Sequence, residues 1–168
     1  MERFEKQYPV DSRDKEIKAI LNFVTKGQSC QLISIPGAGR STVLRLLAYN
    51  DNISRYHLKE KSADYLFIYI NFAEIPSFET TELTKAIFLA ILATIRDRGP
   101  GEQPWTRVGK EIYAIFKEAL ALNDALILSQ SLKKAMQQLN LSTNFHSDDA
   151  SSERAGQAII PIFLFDRF

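Results

Sequence analysis

A short apolar run, Gln31-Leu32-Ile33-Ser34-Ile35, breaks at Pro36-Gly37-Ala38-Gly39 and leads straight into a helical pattern from Ser41 to Tyr49. This junction constrains the chain more than any other segment. The run has the length of a strand, and Pro36 and Gly37 end it. Val43, Leu44, Leu46 and Leu47 then supply the apolar positions of a helix. A strand that enters a helix through a glycine-rich turn aims several backbone N–H groups, and the positive end of the helix, at one point. Such a point suits an anion.

The remaining pattern alternates in the same way. Ile17, Ile20, Leu21 and Val24 lie at i, i+3, i+4 and i+7 and predict a helix over 13–26. Ser12 is its expected N-cap, Asp14 and Glu16 suit its positive end, and Gly27 suits its closing turn. Tyr65-Leu66-Phe67-Ile68-Tyr69-Ile70 reads as a second strand, apolar enough to be buried on both faces. Leu83, Ile87, Ile91 and Ile95 predict a helix over 81–96 that Gly99-Pro100-Gly101 stops, and two more helices follow over 106–122 and 124–141. The polar stretch 142–158 reads as a flexible connector within the domain. A third strand, Ile159 to Phe165, ends at Asp166, with Pro161 awkward for a central strand. The expectation is an α/β domain with a parallel sheet flanked by helices, and a helical insertion between the second and third strands.

At 168 residues the chain accommodates one domain. Lys and Arg total 21 against 20 for Asp and Glu, so the basic excess of a nucleic-acid-binding surface is missing and direct nucleic-acid binding by this domain is not expected. No run approaches the roughly 18 apolar residues of a membrane span, and the N-terminus does not resemble a signal peptide, which makes the cytoplasm the expected location. Cys30 is the sole cysteine, which rules out an internal disulfide, and it is expected in the core at the opening of the first strand. His57 and His146 have no partner at metal-ligand spacing and are expected at the surface. Trp105 could anchor the helical insertion or meet a partner.

The strand–turn–helix junction carries the chemistry. A phosphate-binding loop has the pattern G-x-x-x-x-G-K-[S/T] between a strand and a helix. Here Gly37 and Gly39 supply the permissive turn and Ser41 stands where a hydroxyl would bind Mg²⁺, but Ser34 replaces the first glycine and Arg40 the lysine. Arg40 keeps the charge in a longer, planar group, so binding survives this change more readily than turnover. A bare tight turn after a strand is the competing reading. Asp166, at the end of the third strand, would hold Mg²⁺ through its hydration shell, or would merely cap a turn. Arg167 follows it where many such ATPases place a Glu, and an arginine cannot accept a proton.

These residues resemble the AAA+/STAND superfamily of P-loop ATPases, in particular its bacterial origin-recognition-like branch. The resemblance rests on Asp11-Ser12-Arg13-Asp14-Lys15-Glu16-Ile17, on the phosphate loop and on Phe163-Leu164-Phe165-Asp166. It implies that Arg13 and Pro9-Val10 lie beside the adenine of ATP. Pro36, Gly37, Ala38, Gly39, Arg40, Ser41 and Thr42 would wrap the phosphates, and Ser41 and Asp166 would serve Mg²⁺. Asn71 would approach the γ-phosphate or simply end its strand. In this superfamily a later strand separates the phosphate-loop strand from the strand bearing the Asp, so the sheet is expected to have a gap and the domain to be truncated after Asp166. The implied function is a nucleotide-dependent switch with weak or absent hydrolysis, acting on self-association or on a downstream effector domain. The alternatives are a relic scaffold for protein contacts and a part of an origin-recognition-like DNA-binding ATPase.

Overall fold

The computed structural model describes residues 3–35, 37–98, 103–122, 124–141 and 159–167. The second predicted strand forms as β1, Tyr65–Asn71, and the third as β2, Ile160–Asp166. They pair in parallel, with Tyr65 opposite Ile160 and Asn71 opposite Asp166. Parallel pairing requires a long crossover. Three helices supply it: α4 (Thr80–Arg98), α5 (Gln103–Leu122) and α6 (Ala125–Leu141). Ahead of the sheet come α1 (Asp14–Val24), α2 (Arg40–Tyr49) and α3 (Asp51–Leu58). Among the described residues the fold is therefore α/β, with six helices around a two-stranded parallel sheet.

The period of two along β1 divides the core. Tyr65 and Phe67 point to one face, where they join Ile17, Ile20 and Leu21 of α1, Leu44, Leu46 and Leu47 of α2, and Ile53 of α3. Leu66, Ile68 and Ile70 point to the other, against Phe88 and Ile91 of α4, Ile112 and Phe116 of α5, and Leu139 of α6. Phe88 stacks on Phe116 with ring centroids 4.9 Å apart. Each such buried side chain contributes about 1.5–3 kcal/mol.

Several local expectations need correction. Gln31–Ile35 is not a strand: residues 28–35 run outside the sheet, and Ile33 and Ile35 are 81% and 78% exposed. A strand needs a neighbour to bond its N–H and C=O groups, and no described strand lies beside this segment. Cys30 is exposed for the same reason. Ser12 does not cap α1; Arg13 occupies the cap position in a left-handed conformation, without a side-chain cap. The His57 side chain is buried rather than at the surface, facing Asp14 across α3 and α1. Helix α3 follows α2 after a single residue, Asn50, whose side chain accepts from the Asn52 N–H. This Asx turn starts a second, short helix directly after α2, where the sequence reading placed none.

Pro161 fits, because β2 is paired on one side only and its other edge is free of a described strand. The connector 142–158, the Gly99–Gly101 stop, His146, Pro36 and the side chain of Trp105 lie outside the described residues. No helix among the described residues is long and apolar enough to cross a membrane.

Backbone protection should follow this division. Amides of 66–70 are expected to exchange at the slow, near-global limit, while those of 29–34, which bond to no described backbone group, exchange orders of magnitude faster. Hydrogen-exchange mass spectrometry on peptides covering the two stretches tests this, and equal protection would contradict it.

Candidate functional site

Three chain segments meet at the carboxyl end of the sheet. The first is the turn into α2. Gly37 and Gly39 both adopt φ of +82°, in the left-handed region that glycine enters at little cost. Gly39 stands at the cap position of α2, which has no side-chain cap and no acidic residue in its first turn. The Ser41 and Thr42 N–H groups bond to no described residue, so the positive end of the helix is left uncompensated.

The second segment is the start of α1. Arg13 has φ of 57°, costly for a side chain with a Cβ, and this conformation turns it towards the loop. Its Nη2 donates to the Ala38 carbonyl at 3.0 Å and its Nη1 to Glu16 Oε1 at 3.0 Å. A Cβ on Gly39 would collide with Arg13 Nη2 and lie 3.3 Å from its Cζ. Glycine is thus required at 39 twice over, by its dihedral and by the guanidinium against it.

The third is the end of β2. Ile162, Leu164 and Asp166 share the face of the sheet that α2 covers, as does Tyr69 of β1. Register places Asn71 opposite Asp166, and Tyr69 two residues earlier is its diagonal neighbour, within reach of an aromatic side chain. The Tyr69 hydroxyl donates to Asp166 Oδ2 at 2.6 Å. The carboxylate is fully buried, Arg40 Nε lies 3.8 Å from Oδ1, and Oδ1 has no hydrogen-bond partner.

Burial pushes the Asp166 carboxyl up, but the Tyr69 hydroxyl, Ser41, the Arg167 backbone N–H and the Arg40 charge outweigh it and hold the group below the usual carboxylate range. Burial, followed by the bond to Asp166, pushes the Tyr69 phenol far up, so it remains a donor. Arg167 has φ of 58°. Two of the three non-glycine residues with positive φ among the described residues, Arg13 and Arg167, therefore flank this site.

The structure brings Arg13, Gly37, Ala38, Gly39, Arg40, Ser41 and Asp166 to one region. It does not bring Asn71 in as a free group: its Nδ2 donates to Glu74 Oε1 at 2.6 Å and its Oδ1 accepts from the Ala73 N–H, as a strand terminus does. Tyr69 escaped the sequence reading. Its signal was the matched ends of two apolar runs, one closing at Asn71 and the other at Asp166, which sets the register and hence the diagonal.

Beside the site, a cavity of about 720 Å³ opens between residues 27–32 and the unpaired edge of β2, with Ile160, Ile162 and Leu164 on one wall and Arg40 and Arg167 at one end. Its lining includes neither Gly37, Gly39 nor Ser41, so it is distinct from the loop mouth. It lies along the edge of β2 that no described strand pairs.

Among the described residues no three His, Cys, Asp or Glu side chains cluster at metal-binding distance. Compared with known protein families, curated proteins and solved structures, the chain matches none of them.

A double-mutant cycle tests the loop geometry. Gly37→Ala, with open space around the added methyl, is expected to cost only the backbone strain of about 1–3 kcal/mol. Gly39→Ala adds the displaced Arg13 bond to Ala38, about 1 kcal/mol more, and this increment disappears when Arg13 is already Ala. Urea denaturation measures the wild type, Gly37→Ala and the three variants at 13 and 39; strictly additive costs at 13 and 39 would show that the contact is not made.

Proposed function

We propose that the chain is a nucleotide-binding domain of the P-loop type that takes ATP with Mg²⁺ and acts as a switch, with slow or no hydrolysis. The single observation that carries this reading is the buried Asp166 carboxylate, whose Oδ1 has no hydrogen-bond partner and lies 3.8 Å from Arg40 Nε at the uncapped start of α2. A buried charged oxygen without a partner is costly. A metal ion or its bound water would satisfy it.

In this reading the backbone from Gly37 to Thr42 surrounds the phosphates, and Arg40 contributes a forked cation. Ser41 supplies a hydroxyl to Mg²⁺ and Asp166 Oδ1 accepts from its water. Mg²⁺ keeps several waters and takes few protein ligands, so one hydroxyl and one carboxylate beside phosphate oxygens suffice. Arg13, tied to Ala38 and Glu16, holds the loop and stands on the side assigned to the base. Nucleotide state would then be passed to a second copy or to an effector domain.

Two features favour binding without turnover. Arg40 is close enough to Asp166 to compete for its charge, and Arg167, in place of a carboxylate, cannot accept a proton from an attacking water. The same ion pair favours a second reading, a relic P-loop scaffold in which Arg40 has replaced the metal.

Thermal denaturation separates the two. With MgATP at a hundred times its dissociation constant the protein should gain about 2.7 kcal/mol. Gly39→Asp, which strains the loop and places a negative charge at its mouth, should abolish the gain, with the fold checked by circular dichroism. Released phosphate should accumulate at well below about 1 s⁻¹. No stabilisation of the wild type at millimolar MgATP would leave the scaffold reading.

A further inference from the structure

Tyr69 is a polar side chain of the candidate site to which the MgATP reading gives no role. It lies on β1, and its hydroxyl closes on Asp166 Oδ2 at 2.6 Å, leaving the buried Oδ1 without a hydrogen bond and 3.8 Å from Arg40 Nε. We propose that Tyr69 is a positioning residue that turns Asp166 into a one-oxygen acceptor and thereby biases the site towards Mg²⁺ over Ca²⁺. The inference rests on the MgATP reading of the same site.

A free carboxylate can rotate and chelate a cation with both oxygens. Ca²⁺ accepts such bidentate ligands in its loose shell of 6–8 oxygens, whereas Mg²⁺ demands near-octahedral geometry and keeps its waters. With Oδ2 committed to the tyrosine, Asp166 offers a single oxygen in a fixed direction. That suits a water-bridged or single contact to Mg²⁺ and denies Ca²⁺ its preferred grip.

The tyrosine itself is braced. Its ring meets Tyr49 of α2 edge-on, with centroids 5.7 Å apart. The Arg3 guanidinium lies 3.9 Å from the Tyr49 ring centroid and is paired with Asp97 of α4. Tyr69 therefore cannot swing away without disturbing a stack that joins the N-terminal segment, α2 and α4. Outer partners of this kind commonly govern metal affinity by 10–100-fold.

The test compares ATP affinity by calorimetry in EDTA, in MgCl₂ and in CaCl₂. Wild type should bind ATP more tightly with Mg²⁺ than with Ca²⁺. Tyr69→Phe should leave affinity in EDTA within about twofold, weaken the Mg²⁺ enhancement by about tenfold, and narrow the Mg²⁺/Ca²⁺ ratio. Tyr69→Gln, which restores a donor, should recover part of the ratio. A folded Tyr69→Phe protein with the full wild-type ratio overturns the proposal. So does a wild type that gains as much from Ca²⁺ as from Mg²⁺, which needs no variant to fold. Absence of ATP binding by the wild type under all three conditions rejects the nucleotide reading itself, a result distinct from a metal-insensitive binder.

Discussion

The parallel pairing of β1 with β2 is the contact on which both the core and the candidate site depend. β1 is buried on both faces, so its alternation sends Tyr65, Phe67 and Tyr69 towards α1–α3 and Leu66, Ile68 and Ile70 towards α4–α6. Pairing Asn71 with Asp166 then decides which β2 residues face α2. A slip of one residue would send Asp166 to the face of α4–α6, bury its charge against apolar helices and leave Arg40 and Tyr69 without their partner. Packing and site geometry thus enforce the same register, and neither could shift alone.

The sheet that this pairing produces is narrow. Among the described residues, two strands flanked by six helices leave the outer edge of β2 unpaired, and the segment before the glycine turn lies across a cavity from it. Ile33 and Ile35 have the composition of a buried strand and the exposure of a loop. The cause is the lack of a hydrogen-bonding neighbour rather than weak β-propensity, since main-chain groups of an extended segment need partners whatever the side chains prefer. The α2 turn keeps its conformation regardless, because Gly37 and Gly39 act locally and the Arg13 bridge ties Ala38 to the start of α1.

Legibility in the sequence followed the range of the interactions. Helices α1, α4, α5 and α6 and both strands were readable, because each buries a continuous periodic stripe: Ile17, Ile20, Leu21 and Val24 on α1, for instance, and the unbroken run from Tyr65 to Ile70. Glycines at the phosphate-type turn were readable because their dihedrals demand that residue type. What failed depended on tertiary neighbours. Gln31–Ile35 has the length, apolar content and Pro-Gly boundary of a strand but no described neighbour, Cys30 beside it is exposed rather than in the core, and the His57 side chain, expected at the surface, is buried facing Asp14 of α1. Arg13 was singled out by resemblance to a family motif, but its left-handed backbone and its bond to Ala38 had no signal in pattern or spacing. Tyr69 looked like one more aromatic in a buried strand until register set it diagonal to Asp166.

At the site a buried carboxylate, Asp166, meets a part-exposed arginine, Arg40, in a loose ion pair. Asp166 is sealed from water, yet one oxygen is bonded to Tyr69 and the other lies 3.8 Å from Arg40 Nε, too far for a close hydrogen-bonded pair. An ion pair left this loose recovers only part of the cost of desolvation. The arrangement is therefore poised: a second cation near Oδ1 or an anion drawing Arg40 towards the start of α2 would each improve it, and the two together would improve it most. In the proposed MgATP reading a metal–phosphate ligand would supply both charges at once, while Arg167, next to Asp166, cannot accept a proton from an attacking water.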